Sequence, residues 1–147
     1  YAQSQGVKAH GMNLGGRYVF PFGSVKFVPA LHSSGYEIDG VMTYMGEASG
    51  IILEAEDKKI YHAGDTALFS DMRLFAKDKS IDVAFLPIGD NYTMGPEDAL
   101  EAVSYLNPKI TIPIHYNTFP VIQQNPAIFV EQVVGGKVLN PGETILV

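Results

Sequence analysis

Apolar and polar residues partly alternate in the first half of the chain, a pattern typical of half-buried strands. It predicts strands at residues 6–10, 17–20, 25–30, 41–45 and 50–55, and one around Ile60. The strands 17–20 and 25–30 form a hairpin about the turn 21–24, and 41–45 and 50–55 form a second pair. Loops are expected at 11–16 and 33–40, where polar residues and glycine gather.

A helical spacing replaces this alternation after Asp65, where Leu68, Met72 and Phe75 share one face. Pro96 and Pro126 each open a further helix in its first turn, where the missing N–H costs little. The remaining predicted strands are 83–87, 109–114, 137–139 and 144–147, the last two following a helix that closes at 135–136. This order indicates layered sheets with helices outside, in the α/β (α+β) class.

Composition and charge narrow the classes of function. With 147 residues, 46% of them hydrophobic, residues 1–147 fit a single globular domain. Every apolar run is shorter than the roughly 18 to 20 residues that cross a bilayer. The net charge of −6 disfavours nucleic-acid binding and favours a small-molecule substrate. Because cysteine is absent, any metal is held by histidine and carboxylate, and a cytoplasmic location is expected.

The chain begins at Tyr1 without an initiating methionine. Residues 1–7 have the pattern of a helix end that leads into a strand. We therefore expect that the N-terminal part of the native protein is missing, so that these residues form the C-terminal portion of a longer domain.

Three residues of metal-ligand type each follow a different apolar strand: His32, Asp65 and His115. Layered folds concentrate their chemistry at one edge of the sheet, so the three side chains are expected to converge although they lie far apart in the sequence. Gly64 allows the backbone to turn sharply just before Asp65. The sequence therefore predicts a metal site built by these three residues.

Each of these residues also has a simpler interpretation. Asp is a preferred N-cap residue, so Asp65 could cap a helix that starts near Ala67. A single histidine after a strand is often a hydrogen-bonded loop residue. His62 either faces the opposite layer or donates a hydrogen bond that supports a metal ligand. His10 has no partner at a useful spacing and is expected to be structural.

Three runs resemble, in order and spacing, the last three metal-binding motifs of the metallo-β-lactamase superfamily. They are Pro29-Ala-Leu-His-Ser-Ser-Gly35, Tyr61-His-Ala-Gly-Asp-Thr66 and Ile112-Pro-Ile-His-Tyr-Asn-Thr-Phe119. More narrowly, they are similar to a family of metal-dependent hydrolases related to ascorbate-phosphate lactonases. The run Pro87-Ile-Gly-Asp-Asn-Tyr-Thr-Met-Gly-Pro-Glu-Asp98 resembles that family as well.

The resemblance implies a fold, a cofactor and a reaction. The fold would be an αββα layered sandwich whose N-terminal part is missing. His32 would bind the first metal, Asp65 would bridge both metals as the catalytic carboxylate, and His115 would bind the second, with His62 and Thr66 supporting them. The cofactor would be two divalent ions, zinc in the first place, with Mn²⁺ or Fe²⁺ as alternatives. A metal-bound hydroxide would then attack a small ester, lactone or phosphoester.

One departure from the superfamily is large, because its His-x-His-x-Asp-His motif does not occur in this sequence. Either that part was removed or belongs to a separate chain, or the protein is a non-catalytic binding or regulatory module that keeps the fold. Half of a sandwich would also expose an apolar sheet face. We therefore expect the missing N-terminal half as a separate partner chain, or a homo-oligomer.

Polar residues beside the predicted ligands are candidates for substrate binding: Ser33, Ser34, Asn91, Thr93, Tyr116 and Asn117. Each of them also fits turn chemistry, because serine and asparagine are common loop residues. Thr93 has a further alternative, which is to cap the helix that Pro96 opens.

Overall fold

The computed structural model of the protein describes residues 3–147, so Tyr1 and Ala2, the start of the predicted helix end, lie outside it. The strands are β1 (Arg17–Phe20), β2 (Gly23–Pro29), β3 (Gly35–Ile38), β4 (Val41–Tyr44), β5 (Ser49–Ala55), β6 (Lys58–His62), β7 (Val83–Pro87) and β8 (Ile110–Ile114). The α-helices are α1 (Pro96–Leu106) and α2 (Pro126–Glu131), and 3-10 helices occupy Gln3–Gln5, Ser70–Ala76 and Pro120–Ile122.

A six-stranded sheet forms the centre of the fold, in the order β1-β2-β5-β6-β7-β8. Its first four strands pair antiparallel, whereas β6, β7 and β8 pair parallel. Two antiparallel steps separate β2 from β6, so β2 runs in the same direction as β6, β7 and β8. The carboxyl ends of these four strands therefore meet at one edge of the sheet.

One face of the sheet carries the core. Ile52 lies opposite Tyr61 and Tyr61 opposite Ala84, and residues paired in this way share a face. These side chains are buried against Met72 of the 3-10 helix and Leu106 of α1. The helices α1 and α2 share a second apolar cluster formed by Ile88, Ala99, Phe129 and Val133. The described residues thus supply one sheet and one helical layer, two layers of the expected sandwich.

The other sheet face is apolar but only partly covered. It carries the cross-strand pairs Phe27–Ile51, Leu53–Ile60 and His62–Phe85. Ile51 is 38% exposed. Phe27, Leu53, Ile60 and Phe85 are half-buried. We call these five apolar residues the open face.

β3 and β4 form a separate hairpin between β2 and β5. Its two-residue turn, Asp39 and Gly40, has positive φ at both positions, 50° and 78°. This is the backbone of the type I′ turn, which matches the twist of a hairpin and favours Asp-Gly. The predicted polar loop at 33–40 is therefore wrong, because half of it, Gly35–Ile38, is strand β3.

Several other predicted elements need correction. Strands β4 and β5 exist near 41–45 and 50–55, but they do not pair with each other, because each has a different partner. The predicted strands at 6–10, 137–139 and 144–147 are wrong, because those short segments form no ladder in the structure. The helix expected directly after Asp65 is a 3-10 helix that starts at Ser70, and α2 stops at Glu131, before 135–136.

A buried carboxylate ties three sheet segments together. Asp82 is 3% exposed, and its Oδ1 accepts from Lys109 Nζ at 2.7 Å. Its Oδ2 accepts from the backbone N–H of Lys59 at 2.8 Å. The Lys109 hydrogen bond, followed by that from Lys59, holds the pKa of Asp82 below its ordinary value. The charged form of Asp82 therefore stabilises the folded chain.

Asp82→Asn should lower the free energy of unfolding at pH 7 by about 1 to 2 kcal/mol, since Lys109 still faces water in part. A depressed folded-state pKa adds stability above the unfolded pKa of about 3.9, and that contribution fades as the pH falls through the folded value. In urea titrations, the difference in the free energy of unfolding between the variant and the wild type should thus be smaller at pH 3 than at pH 7. Exposed Glu101→Gln is the control, and an equal gap at both pH values would contradict this account.

Candidate metal centre

The predicted ligands lie at the edge where four strands end in the same direction. His32 follows β2, Asp65 follows β6 and His115 follows β8. The loop after β7, which begins at Ile88, lies between the last two. The sheet topology therefore explains why residues up to 83 positions apart in the sequence share one edge.

Asp65 and His115 approach each other directly. Asp65 Oδ2 lies 3.6 Å from His115 Nε2, and the two side chains are 48% and 23% exposed. This separation is too long for a good hydrogen bond. It suits two ligands of one metal, since bonds of about 2.0 to 2.2 Å at a tetrahedral angle place donor atoms roughly 3.3 to 3.6 Å apart. The pair thus fits a shared divalent ion.

The capping interpretation of Asp65 is wrong. The following 3-10 helix starts at Ser70, and Phe69, not Asp65, stands at its N-cap without a side-chain hydrogen bond. Gly64 has φ of 66°, in the left-handed region that favours glycine. This turn carries Asp65 away from the helix and towards His115.

The backbone around His115 fixes the direction of its ring. His115 has φ of 54°, an uncommon value for a residue with a side chain. Its Nδ1 is buried without a hydrogen-bond partner, while its Nε2 points to Asp65. A Cβ at Gly89 would stand 3.1 Å from that Nδ1 and would overlap the carbonyl oxygen of His115. Glycine at position 89 therefore lets His115 lie flat against the loop after β7.

Gly89→Ala should displace His115 and weaken metal binding by roughly 10- to 100-fold, the range for residues that orient a metal ligand. Gly11→Ala is the matched control, because a Cβ there would meet nothing within 4 Å. Competition titration with a chromophoric zinc chelator measures both affinities. Equal affinities in the two variants would show that the close approach at Gly89 does not position His115.

Thr66 joins three loops at this edge. It is fully buried, and its Oγ1 accepts from the backbone N–H of Leu31 at 2.9 Å. The N–H of Ala67 donates to the carbonyl of Leu31, and that of Met94 donates to the carbonyl of Thr66. Since Leu31 precedes His32 and Thr66 follows Asp65, these bonds set the spacing of the two predicted ligands.

His62 supports the turn before Asp65. Its Nδ1 accepts from the backbone N–H of Gly64 at 3.1 Å, so the neutral ring carries its proton on Nε2. The ring stacks on Phe85 with centroids 5.5 Å apart. Burial lowers the pKa of His62, and the nearby Asp65 carboxylate partly opposes that shift. The Nδ1 atom of His62 therefore accepts its hydrogen bond from the turn that precedes Asp65.

His32 lies at one side of this edge, in a cleft of about 590 Å³ that it shares with Ser33 and Ser34. Its Nδ1 stands 2.8 Å from the carbonyl oxygen of Ser33. That contact suits a ring protonated on Nδ1, which leaves Nε2 free to bind a metal.

Across residues 3–147, no three side chains of His, Asp or Glu come together closely enough to hold a metal by themselves. The structure brings together Asp65 and His115, and places His32 at the same edge through the bonds of Thr66. Neutral imidazoles and a carboxylate are nevertheless the donors that zinc prefers in the absence of cysteine.

The predicted substrate-binding residues after β7 and β8 have different surroundings. The N–H of Asn91 donates to Asp90 Oδ1 at 2.8 Å, and its own side chain is exposed. Thr93 does not cap α1, whose N-cap is Gly95. Asn117 Oδ1 accepts from the N–H of Gln124 at 2.7 Å, which holds the loop. Tyr116 packs against the α1–α2 cluster, and this burial raises its pKa.

The sequence interpretation missed the other wall of the His32 cleft. Met42, Tyr44 and Glu47 line it, and all three belong to the β3–β4 hairpin or the segment just after it. Asp39-Gly40 between alternating residues is a strong hairpin signal, and it would have revealed this wall.

The chain is similar to proteins of a known family. Residues 1–116 match the family described as beta-lactamase superfamily domain. The chain is 98% identical over 147 residues to a UPF0173 metal-dependent hydrolase of Enterococcus faecalis, covering all of this chain and 66% of that protein. It is 55% identical over 145 residues to one of Bacillus cereus, covering 96% of this chain and 64% of that protein.

Among solved structures, the chain resembles Igni18, a metallo hydrolase from the archaeon Ignicoccus hospitalis, with a TM-score of 0.83 and 36% identity. The match covers 97% of this chain and 62% of Igni18. The chain thus spans slightly less than two thirds of the length of each of these three relatives. Within residues 3–147, the structure contains no helix with the length and apolar character of a membrane span.

Proposed function

The chain belongs to the metallo-β-lactamase superfamily, and on this premise we propose that it is part of a metal-dependent hydrolase. Its substrate is a small ester, lactone or phosphoester. A narrower kinship with ascorbate-phosphate lactonases is part of the proposal, and it rests on the quoted motifs around His32, Asp65 and His115. A cytoplasmic location is proposed from the lack of cysteine.

The approach of Asp65 to His115 carries the proposal. A carboxylate oxygen and an imidazole nitrogen 3.6 Å apart, at the edge where parallel strands end, form the beginning of a divalent metal site. The position of His32 at the same edge supports its role as a third ligand. Together they support a centre for up to two ions, zinc first and Mn²⁺ or Fe²⁺ as alternatives.

The protein side chains have distinct tasks in this proposal. Asp65 offers two oxygens and can therefore touch two ions, whereas His32 and His115 each offer one nitrogen. Thr66 and the turn that His62 stabilises through Gly64 keep these side chains in position. Divalent ions, when bound, lower the pKa of a water and polarise the carbonyl or phosphoryl oxygen of a substrate.

We further propose that the open face is covered by a segment of a partner chain, the expected N-terminal half of the domain. Support comes from its composition, since Phe27, Ile51, Leu53, Ile60 and Phe85 are all apolar and none is fully buried. The same segment would supply the missing metal ligands. A second copy of the chain on this face is the alternative, and size-exclusion chromatography with light scattering distinguishes a monomer from a dimer.

Metal analysis coupled to an activity panel tests the proposed function. With the N-terminal segment that completes the ligand set present, about two zinc ions per protomer are expected, together with hydrolysis of 4-nitrophenyl acetate, a γ-lactone or bis(4-nitrophenyl) phosphate. Chelation should stop the hydrolysis and zinc should restore it. A protein that binds no metal and cleaves none of the three would instead be a binding or regulatory module.

A further inference from the structure

The β3–β4 hairpin projects beside the proposed metal centre and contributes little to the core. Among the described residues, none from Gly35–Ile38 or Val41–Tyr44 is buried. Its strands are hydrogen-bonded to each other and to no strand of the six-stranded sheet. At its base, the N–H of Met45 donates to the carbonyl of Ser34 at 3.1 Å, which joins the hairpin to the His32 loop.

Large apolar side chains remain exposed on this hairpin. Val41 is 64%, Met42 70% and Tyr44 66% exposed. Such exposure of neighbouring large side chains costs solubility and marks a surface that binds an apolar group. Since the hairpin is not needed to fill the core, this surface requires a functional explanation.

Two of these side chains face the cleft of His32. Met42 and Tyr44 line the cleft together with Ser33, Ser34 and His32. A Cβ on Gly35 would stand 3.0 Å from Met42 Sδ, so the thioether lies across the bare backbone at that glycine. Part of the cleft lining is thus a flexible, polarisable methionine, and the lining also includes a proposed metal ligand and two serine hydroxyls.

The aromatic part of the wall is anchored. The hydroxyl of Tyr44 donates to Glu47 Oε1 at 2.5 Å, and this bond raises the pKa of Tyr44. With its polar end engaged, Tyr44 presents its ring to the cleft. An apolar group that enters here would lie between the ring and the methionine, with its polar end near the serines and His32.

We propose that Met42 and Tyr44 form a specificity wall that selects substrates carrying an unbranched apolar chain next to the bond that is cleaved. This inference rests on the proposed hydrolase function and assigns its substrate class. Each methylene group transferred from water to such a wall is worth up to roughly fourfold in binding. Medium-chain esters or lactones should therefore be better substrates than acetyl esters.

A chain-length series tests the specificity wall in the zinc-loaded protein. The kcat/KM for 4-nitrophenyl esters should rise from acetate to octanoate, and Met42→Ala should lower the octanoate-to-acetate ratio by roughly tenfold, mostly through KM. Met45→Ala is the matched control, because Met45 is 48% exposed on the same segment but does not line the cleft. The proposal would be overturned if the octanoate-to-acetate ratio of kcat/KM were the same in the wild type, Met42→Ala and Met45→Ala.

A second readout does not depend on catalysis. The chain has five methionines, so methyl-¹³C labelling of methionine gives five probes. Octanoate should shift the Met42 methyl resonance, leave that of Met45 in place and bind more tightly than acetate. Octanoate that shifts neither resonance would reject the specificity wall even if esters are cleaved. A Met42 shift without any ester hydrolysis would support the wall and reject the hydrolase.

Discussion

Asp65→Asn is expected to remove nearly all hydrolase activity and most of the bound metal. The substitution keeps the shape of the side chain but removes its charge and one of its two acceptor oxygens. Changing a residue that only orients a ligand costs about 10- to 100-fold, so losing the carboxylate should lower kcat/KM by more than about 100-fold. Plasma mass spectrometry for zinc and an ester assay measure the two effects.

The control for Asp65→Asn is Asp71→Asn, which changes an exposed aspartate in the next element. That variant should keep wild-type metal content and activity. Because Asp65 is itself 48% exposed, the thermal stability of the metal-free form should barely change. An Asp65→Asn protein that retains two zinc ions would contradict the role of Asp65 as a bridging ligand.

His32→Ala should reduce the bound zinc from about two ions to about one and lower kcat/KM by more than about 100-fold. His10→Ala is a matched control. The His10 ring packs on Tyr18 of β1 with centroids 4.0 Å apart, and β1 is the outermost strand of the sheet, separated from β6 by β2 and β5. Loss of one zinc ion from both variants would indicate that the histidines act through stability, and retention of both ions in His32→Ala would exclude His32 as a ligand.

The sequence predicted the elements whose signals are local. The parallel strands β7 and β8 are buried apolar runs, and Pro96 opens α1 as expected. Because the candidate ligands sit at strand ends, their common edge follows once the strand directions are known. The mixed α/β fold is accordingly confirmed.

The sequence could not supply pairing partners or side-chain direction. β4 and β5 follow each other in the chain but pair with other strands, because the Asp39-Gly40 turn pairs β4 with β3 and β5 lies between β2 and β6. Tyr116 follows a proposed ligand, yet the left-handed backbone at His115 sends its ring into the α1–α2 cluster. Near the predicted C-terminal strands, Gly136 forms only an isolated bridge with Thr111 of β8, and this contact does not continue into a ladder.

The most direct test of the metal centre is an anomalous difference map from a zinc-soaked crystal, collected at the zinc absorption edge. The account predicts a peak about 2.0 to 2.2 Å from both Asp65 Oδ2 and His115 Nε2, with those ligands near their present separation of 3.6 Å. A map without a peak between these two atoms, with Asp65 hydrogen-bonded to His115 and zinc bound elsewhere, would contradict it.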